Sequence, residues 1–237
     1  MMKSLFLQAP SFDGYDGGAG ARYQMKREVK SFWFPTWLAQ AAAMVPGSRL
    51  IDAPPLNLSF KDIEEDVKAH ELIVIHTSTP ASSPTARPPV WCRAINPTAK
   101  IGFIGAKVAV EPLESMQACP ELDFVARNEY DFTIQELAGG ADWSTIKGLT
   151  YRDAQRRRSS HNPEREILVD MDKLPSVTAV LQAAGREKYF GGYLQAPLYL
   201  LVHGPRLQIA LHLLPVAADH RRPHSTASCP STGWCRT

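Results

Sequence analysis

Apolar and polar residues follow two different rhythms along the N-terminal part of the chain. Continuous apolar runs, typical of strands buried on both faces of a sheet, occupy residues 4–8, 49–52, 71–76, 100–105 and 123–126. Stretches with apolar residues at helical spacing lie between them and predict helices over residues 34–44, 59–69, 111–118 and 131–138. Strands that alternate with helices at this interval predict an α/β fold with a doubly wound parallel sheet.

Local signals support the ends of two of these helices. Ser59 is suited to cap the second helix, and Asp62 and Glu64 follow it in the first turns, where negative charge is favourable. The fourth helix ends at Gly139-Gly140, a typical stop signal.

The crossover between the third and fourth strands fits this pattern least well. A parallel connection there needs about a dozen residues and usually contains a helix. Residues 81–95 have the length, but their prolines oppose a regular helix, and residues 82–93 contain no acid. We expect either a long irregular crossover or a local frame error in this segment.

The strand–helix alternation fades after Gly140. Residues 146–151 and 166–169 resemble two short strands of a β-hairpin around a polar turn at residues 156–162. Residues 171–175 are typical of a linker, and a new domain should begin near Tyr189. The predicted units are therefore a domain over 1–140, a hairpin and linker over 141–188, the start of a second domain over 189–200, and a tail over 201–237.

Composition excludes several classes of function. With 237 residues, 44% hydrophobic and 21% charged, the chain has the make-up of a globular protein. A net charge of +2 gives little attraction to nucleic acid, and no apolar run approaches the roughly 18 residues of a transmembrane helix. The four cysteines show no disulfide pattern, which favours a reducing, cytoplasmic location.

The loops that follow the predicted strands carry the candidate binding residues, because ligands of open α/β sheets bind outside the carboxyl ends of the strands. Small, hydroxyl or polar residues at four of these ends indicate a bulky, partly apolar ligand. Taken singly, each loop is also explained by ordinary turn chemistry. The candidates are Asp13, Gly14, Gly17 and Gly18 after the first strand, Thr77, Ser78 and Thr79 after the third, Gly105, Ala106 and Lys107 after the fourth, and Asn128 and Glu129 after the fifth.

Other chemical signals are weak. The glycines at residues 17–20 lack the spacing of a dinucleotide-binding loop, and no Walker lysine follows them. His76 has no second histidine at ligand spacing, so a hydrogen-bonded structural role is favoured over metal binding. Glu129 with Asp131 could form an acid pair or could favour the start of the next helix. We therefore predict no catalytic residue and no metal ligand.

The end of the chain differs in composition from the rest. After Pro197 the only acid is Asp219, although the whole chain has 24 acids, and four of its seven histidines lie there. Three explanations are open: a His-rich tail that binds metal or polyanions, a disordered tail, or out-of-frame translation of GC-rich DNA.

A hidden motif favours out-of-frame translation. Leu207, Leu211 and Leu214 each precede a residue whose codon begins with C, so each junction can contain TGC, a cysteine codon, in a neighbouring frame. Regrouping one permitted set of codons across residues 204–215 gives a CxxxCxxC run. Three thiolates at this spacing hold a [4Fe–4S] cluster with one open iron.

Six segments together resemble the N-terminal half of cobalamin-dependent radical S-adenosylmethionine (SAM) enzymes. The most similar type is the J-type radical SAM protein associated with hopanoid biosynthesis. The resemblance covers about residues 2–200 and is interrupted at 81–95. The segments are QAPSFDG (8–14), FPTWLA (34–39), IDAPP (51–55), HTSTP (76–80), IGFIGAK (101–107) and DFVARNE (123–129).

The resemblance implies a flavodoxin-like cobalamin-binding domain followed by a partial TIM barrel. In the family, the CxxxCxxC loop of the barrel binds a [4Fe–4S] cluster, and SAM is cleaved there to a 5′-deoxyadenosyl radical. The J-type member acts on the polyol head group of a hopanoid lipid. The resemblance places the candidate residues named above at the rim of the corrinoid. The chain lacks the DxHxxG motif of methionine-synthase-like domains, so no lower axial histidine is implied.

The chain departs from the family where the barrel should continue. Residues 189–200 resemble the start of the barrel, we expect the frame to slip near Leu201–Val202, and no cysteine stands at the cluster positions. We therefore expect a truncated product that binds no cluster and does not cleave SAM. The alternatives are a stand-alone cobalamin-binding module and an unrelated α/β enzyme with a His-rich tail.

Overall fold

The computed structural model describes residues 1–12, 15–16, 24–25, 32–77, 83–153, 158–177, 180 and 188–189. Its helices are α1 (Thr36–Ala43), α2 (Glu64–Ala69), α3 (Ser83–Ile95), α4 (Ala106–Val110), α5 (Pro112–Ala118) and α6 (Tyr130–Ala138), with short 3₁₀ turns at Lys61–Ile63 and Met171–Lys173. Its strands are β1 (Ser4–Gln8), β2 (Tyr15–Asp16), β3 (Gln24–Met25), β4 (Arg49–Asp52), β5 (Leu72–His76), β6 (Lys100–Ile104), β7 (Phe124–Ala126), β8 (Leu149–Asp153) and β9 (Arg158–His161).

Seven strands form one sheet in the order β4-β1-β5-β6-β7-β8-β9. The first five of these are parallel, and β8 and β9 extend the β7 edge in antiparallel fashion. The parallel strands follow the chain order second, first, third, fourth, fifth, which is the flavodoxin-like doubly wound arrangement. The predicted fold class is confirmed. Outside this sheet, β2 and β3 pair in a two-stranded antiparallel ladder.

Alternate residues of the parallel strands build two separate cores. On one face, Leu7, Ile75 and Phe103 pack in a cluster that includes buried residues of α2, α3, α4 and α5. On the other face, Phe6 and Val74 pack in a cluster that includes buried residues of α1 and α6. Because successive side chains of a strand point to opposite faces, a continuous apolar run is what a sheet covered on both sides requires.

The expected irregular crossover is instead a helix. The 13-residue α3 contains Pro88 and Pro89, both buried. Each proline removes one backbone donor inside the helix. The packing of Cys92 against the sheet and the bonds of Arg93 compensate for this loss: the guanidinium donates to Ala99 O (2.7 Å) and to Asp123 Oδ2 (2.6 Å). Tertiary contacts therefore override the local propensity of this segment.

The hairpin after residue 140 exists, but its second strand was predicted at the wrong place. β8 pairs with Arg158–His161, which the sequence pattern assigned to the turn, and residues 166–169 form no strand. An edge strand with a polar sequence is stabilised here by its ladder and by His161, whose Nδ1 lies 3.0 Å from Thr150 Oγ1. The stretch around residues 166–169 is held instead along α6, because Arg165 donates to Glu136 Oε2 at 2.7 Å.

Two details of the helix predictions were also wrong. The 3₁₀ turn that leads into α2 has Phe60 in the N-cap position, and Ser59 instead donates from its Oγ to Asp62 Oδ2 at 2.6 Å. The short α4 was not predicted at all. Within the described residues, no helix has both the length and the apolar character needed to cross a membrane.

Gly102 tests the packing of the central strands. A Cβ at this position would lie 2.3 Å from the Phe124 ring, so Gly102→Ala should overpack the core and lower the free energy of unfolding by about 1–3 kcal/mol or more. Gly139→Ala, at the end of α6, is the matched control because its nearest neighbours are 3.3 Å away and its φ is −69°. Urea unfolding measures the free energy of unfolding of both variants. Equal stability of the two variants would contradict the packing described.

Candidate functional site

Three polar side chains form a row across the carboxyl ends of neighbouring strands. Gln8 ends β1, Asp52 ends β4 and His76 ends β5. Gln8 and Asp52 are register partners, and both are only 2% exposed. His76 Nδ1 lies 3.1 Å from Gln8 Oε1. The row crosses the position between β1 and β5 where the strand order reverses, which is where ligands of open α/β sheets bind.

The alternation of the strands explains why these residues share one face. Phe6 and Val74 point toward the core with α1 and α6, so Gln8 and His76, two residues further along their strands, point the same way. Asp52 follows Ile51, which points to the opposite core. On β1, β4 and β5, the strand therefore ends in a hydrogen-bonding group at the carboxyl edge.

His76 is a neutral imidazole at physiological pH. Burial lowers its pKa to about 4, because the charged form cannot be solvated there. Gln8 Oε1 can only accept, so Nδ1 of His76 carries the proton and donates, which leaves the lone pair on Nε2. The hydrogen-bonded role expected from the sequence agrees with this arrangement. Among the described residues, no group of three or more His, Cys, Asp or Glu side chains converges as a metal site.

Asp52 is a buried carboxyl that stays protonated at neutral pH. Burial raises its pKa to about 8, and the neighbouring Tyr189 hydroxyl opposes this rise. Tyr189 is itself fully buried, and its ring meets Phe34 edge to face at a centroid distance of 5.3 Å. Asp52 belongs to one of the six segments that resemble the family but is missing from the candidates predicted from the sequence. The available signal was an acid at the end of a buried strand.

Thr77 and Gly105, both predicted site residues, lie in direct contact. Thr77 N donates to Ile104 O at 2.9 Å, and Thr77 is almost fully buried. Gly105 has a φ of +134°, and a Cβ there would lie 1.8 Å from Thr77 O. Only glycine fits this position, and the β5 and β6 ends are joined tightly as a result.

The remaining described candidates lie along the same edge with different surroundings. Ala106 is exposed at the start of α4, while Lys107 is held by an ion pair with Glu111. Asn128 is exposed with a left-handed φ of +48°, and Glu129 occupies the N-cap position of α6. Six candidates lie outside the described residues, namely Asp13, Gly14, Gly17, Gly18, Ser78 and Thr79, as do Leu207, Leu211 and Leu214 of the hidden motif.

Asp131 is a second carboxyl with a raised pKa at this edge. Burial, and then the charge of Glu129, raise its pKa to about 7. Its Oδ1 is buried without a hydrogen-bond partner. The interaction with Glu129 supports the acid-pair interpretation of the sequence, with Asp131 as the perturbed member.

Arg127 fixes the hairpin to the end of β7. Its guanidinium is 2% exposed, approaches His161 Nε2 at 2.8 Å and donates to Asn162 O. Burial and the positive charge of Arg127 lower the pKa of His161. His161 therefore accepts from Arg127 and donates from Nδ1 to Thr150 Oγ1. Sequence reasoning missed this network because its members are far apart in the chain.

Comparisons with known proteins give partial similarities in sequence and in structure. No family model matches the chain. An uncharacterised methyltransferase of Pyrococcus horikoshii, PH0819, is 28% identical over 160 residues, which cover 64% of this chain and 34% of that protein. The chain thus spans about a third of the length of the curated relative that it matches.

Two solved structures are similar in fold. One is the radical SAM methyltransferase TsrM from Kitasatospora setae, with cobalamin and a [4Fe–4S] cluster bound; its TM-score is 0.48 and its identity 12%, over 60% of this chain and 28% of that one. The other is the cobalamin-dependent SAM radical enzyme OxsB, with aqua-cobalamin and SAM bound; its TM-score is 0.46 and its identity 14%, over 61% of this chain and 21% of that one.

Asp52 should make stability depend on pH. An unfolded aspartate has a pKa of about 4, whereas the folded carboxyl has a pKa of about 8. Between these two pH values the folded state therefore binds more protons than the unfolded state. The free energy of unfolding should therefore fall as pH rises through this range, by at most about 1.4 kcal/mol per pH unit, and level off above the folded pKa. Urea unfolding at pH 7 and pH 8 measures the slope, which Asp52→Asn should flatten.

The choice of pH isolates Asp52 from its neighbours. Asp131 contributes a slope of the same sign, mainly below about pH 7, and His76, with its lowered pKa, contributes the opposite sign below about 6.5. Asp131→Asn is the matched control and should reduce the slope between pH 7 and pH 8 much less than Asp52→Asn does. A wild-type slope above pH 7 that Asp52→Asn does not reduce would show that Asp52 is ionised in the folded protein.

Proposed function

We propose that the chain is the cobalamin-binding part of a radical SAM enzyme and that the corrinoid binds at the carboxyl edge of its parallel sheet. One observation carries the proposal. Of the six segments that resemble this family, five begin at, contain or directly follow the carboxyl end of a parallel strand. Residues 8–14, 51–55, 76–80, 101–107 and 123–129 correspond in turn to β1, β4, β5, β6 and β7.

The chemistry of the edge fits an uncharged, amide-rich ligand such as a corrinoid. Gln8 is an amide, and Asp52 and His76 are neutral at pH 7 because burial shifts both of their pKa values toward the uncharged form. Gly105 presents backbone where any side chain would collide with Thr77, which permits a close approach. Asp131 supplies a buried oxygen without a partner.

Within this proposal, each group has a limited role. Thr77, Gly105, Ala106 and Asn128 would border the corrin, together with the candidates outside the described residues. Asp52 and Asp131, with pKa values near neutrality, can donate hydrogen bonds to the ligand as protonated carboxyls. When bound, the cofactor would supply alkyl-transfer chemistry, and the residues named above would bind and orient it.

The whole protein's activity is a second, finer proposal. The 28% identity to a methyltransferase supports an enzyme of the radical SAM methyltransferase type, and the motif resemblance supports a role in hopanoid head-group metabolism. The radical half of such a reaction needs three thiolates at CxxxCxxC spacing, and the chain has four cysteines without that spacing. We therefore propose that this polypeptide holds no cluster and is inactive alone. The alternative is a module that binds cobalamin without catalysis.

Hydroxocobalamin titration tests the binding site. The full chain should bind and change the visible spectrum of the corrinoid. Ala106→Trp places an indole on the exposed carboxyl edge and should weaken binding at least about tenfold, or about 1.4 kcal/mol. Ala141→Trp is the matched control, because Ala141 is also exposed but lies past the end of α6, near the opposite edge of the sheet. Absence of binding, or equal affinity of the two variants, would contradict the proposal.

Anaerobic reconstitution with iron and sulfide tests the absence of the cluster. The expected result is no bound iron beyond background and no visible absorption of a thiolate cluster. Cys92 and Cys119 are buried thiols whose pKa values burial raises to about 12 and about 11, so neither offers a thiolate. Stoichiometric iron and SAM cleavage would overturn the proposal. Resequencing the codons of residues 204–215 checks the frameshift separately.

A further inference from the structure

Two tryptophans at the start of α1 are unusually exposed. Trp33 is 47% exposed and Trp37 is 52% exposed, although tryptophan is on average one of the more buried residues. Phe34, between them, turns inward and is only 5% exposed. Large exposed apolar areas are typical of contact surfaces. We call Trp33 and Trp37 the indole surface.

The chain around the indole surface carries no charge. Residues 31–48 contain no Asp, Glu, Lys or Arg, whereas the outer face of a surface helix normally carries charged residues. Within α1, Leu38 and Ala41 are buried against the sheet, and Gln40 Nε2 donates to Pro175 O at 3.0 Å. One side of the helix is therefore covered by the sheet, and Gln40 is held by the segment that follows the hairpin. Trp33, just before the helix, and Trp37, within it, are the large apolar side chains of this segment that stay exposed.

Tyr189, the last of the described residues, lies beside this surface. It is fully buried and packs edge to face on Phe34 at 5.3 Å, in a cluster with Ala39. Its hydroxyl neighbours the Asp52 carboxyl. The described chain therefore ends at a residue that packs against Phe34, which stands between the two tryptophans in the sequence.

The residues directly after Tyr189 are uncharged and apolar like the indole surface, and they are numerous enough to extend along α1. Residues 190–202, FGGYLQAPLYLLV, contain no charged side chain and include two tyrosines and four leucines. Thirteen residues can span at most about 45 Å, far more than the length of the eight-residue α1, which is about 12 Å. An uncharged apolar segment is thus tethered beside an uncharged aromatic surface.

We infer that residues 190–202 of the same chain cover Trp33 and Trp37, so that α1 is the docking surface for the segment that leads out of this domain. Tethering favours this occupant over a second copy. A segment held by a short linker has an effective concentration on the order of millimolar, well above the micromolar concentration of a free protein partner. Tyr189 acts as the anchor that sets the register of the segment on α1.

Photo-cross-linking in the full chain identifies the occupant. Trp37 is replaced by p-benzoylphenylalanine, and the irradiated protein is digested with trypsin. The proposal predicts a product in monomeric protein that joins residues 31–49 to residues 189–206, with the bond mapped within 193–202. Val110 is the matched control: it is 62% exposed on α4, whose buried residues pack on the opposite core, and the same replacement there should give no such product.

The other outcomes are equally decisive. A cross-linked dimer would assign the surface to a second copy and overturn the inference, as would a bond to another segment or no bond at all. A second measurement guards against a probe that disturbs α1. Leu194→Asp with Leu198→Asp should abolish the cross-link and raise quenching of tryptophan fluorescence by acrylamide, whereas Ala217→Asp with Ala227→Asp in the tail should change neither. Quenching that is unchanged by the first pair would contradict the docking.

Discussion

The burial of both faces of a five-stranded parallel sheet is the constraint on which the rest of the structure depends. It requires apolar residues throughout the strands, so polar groups can enter only where the strands end. Gln8, Asp52 and His76 occupy those ends, and because water is excluded there, Asp52 and His76 are held in uncharged forms. The fold thus concentrates neutral hydrogen-bonding groups at one edge. That edge is suited to a large polar ligand without net charge at its point of contact.

The backbone at this edge is as constrained as the side chains. Gly105 lies so close to Thr77 that a Cβ at Gly105 would collide with the Thr77 carbonyl oxygen. Asn128 adopts a left-handed conformation beside the start of α6. Arg127 joins the end of β7 to the hairpin through His161 and Asn162. Strand ends, hairpin and α6 therefore form one connected rim.

Sequence patterns predicted the sheet well because burial on both faces requires a continuous apolar run in each parallel strand. The same reasoning failed for α3, where Pro88 and Pro89 argue against a helix but long-range bonds of Arg93 to Asp123 support one. It failed again for β9, whose polar residues 158–161 pair at an edge while apolar Ile167 and Val169 stay exposed. The strand pattern accounts for the position of the described loop candidates at the strand ends, and their role in binding stays a prediction. The Asp52–Tyr189 neighbourhood was not foreseeable, since 137 positions separate the two residues.

Hydrogen–deuterium exchange of the full chain with and without aquacobalamin tests the central claim, that the carboxyl edge binds a corrinoid. The account predicts slower exchange of backbone amides at residues 76–77, 104–107 and 126–131, and unchanged exchange at the opposite edge, residues 68–71 and 96–100. Slower exchange confined to the opposite edge, or no change anywhere despite a saturating ligand concentration, would contradict it.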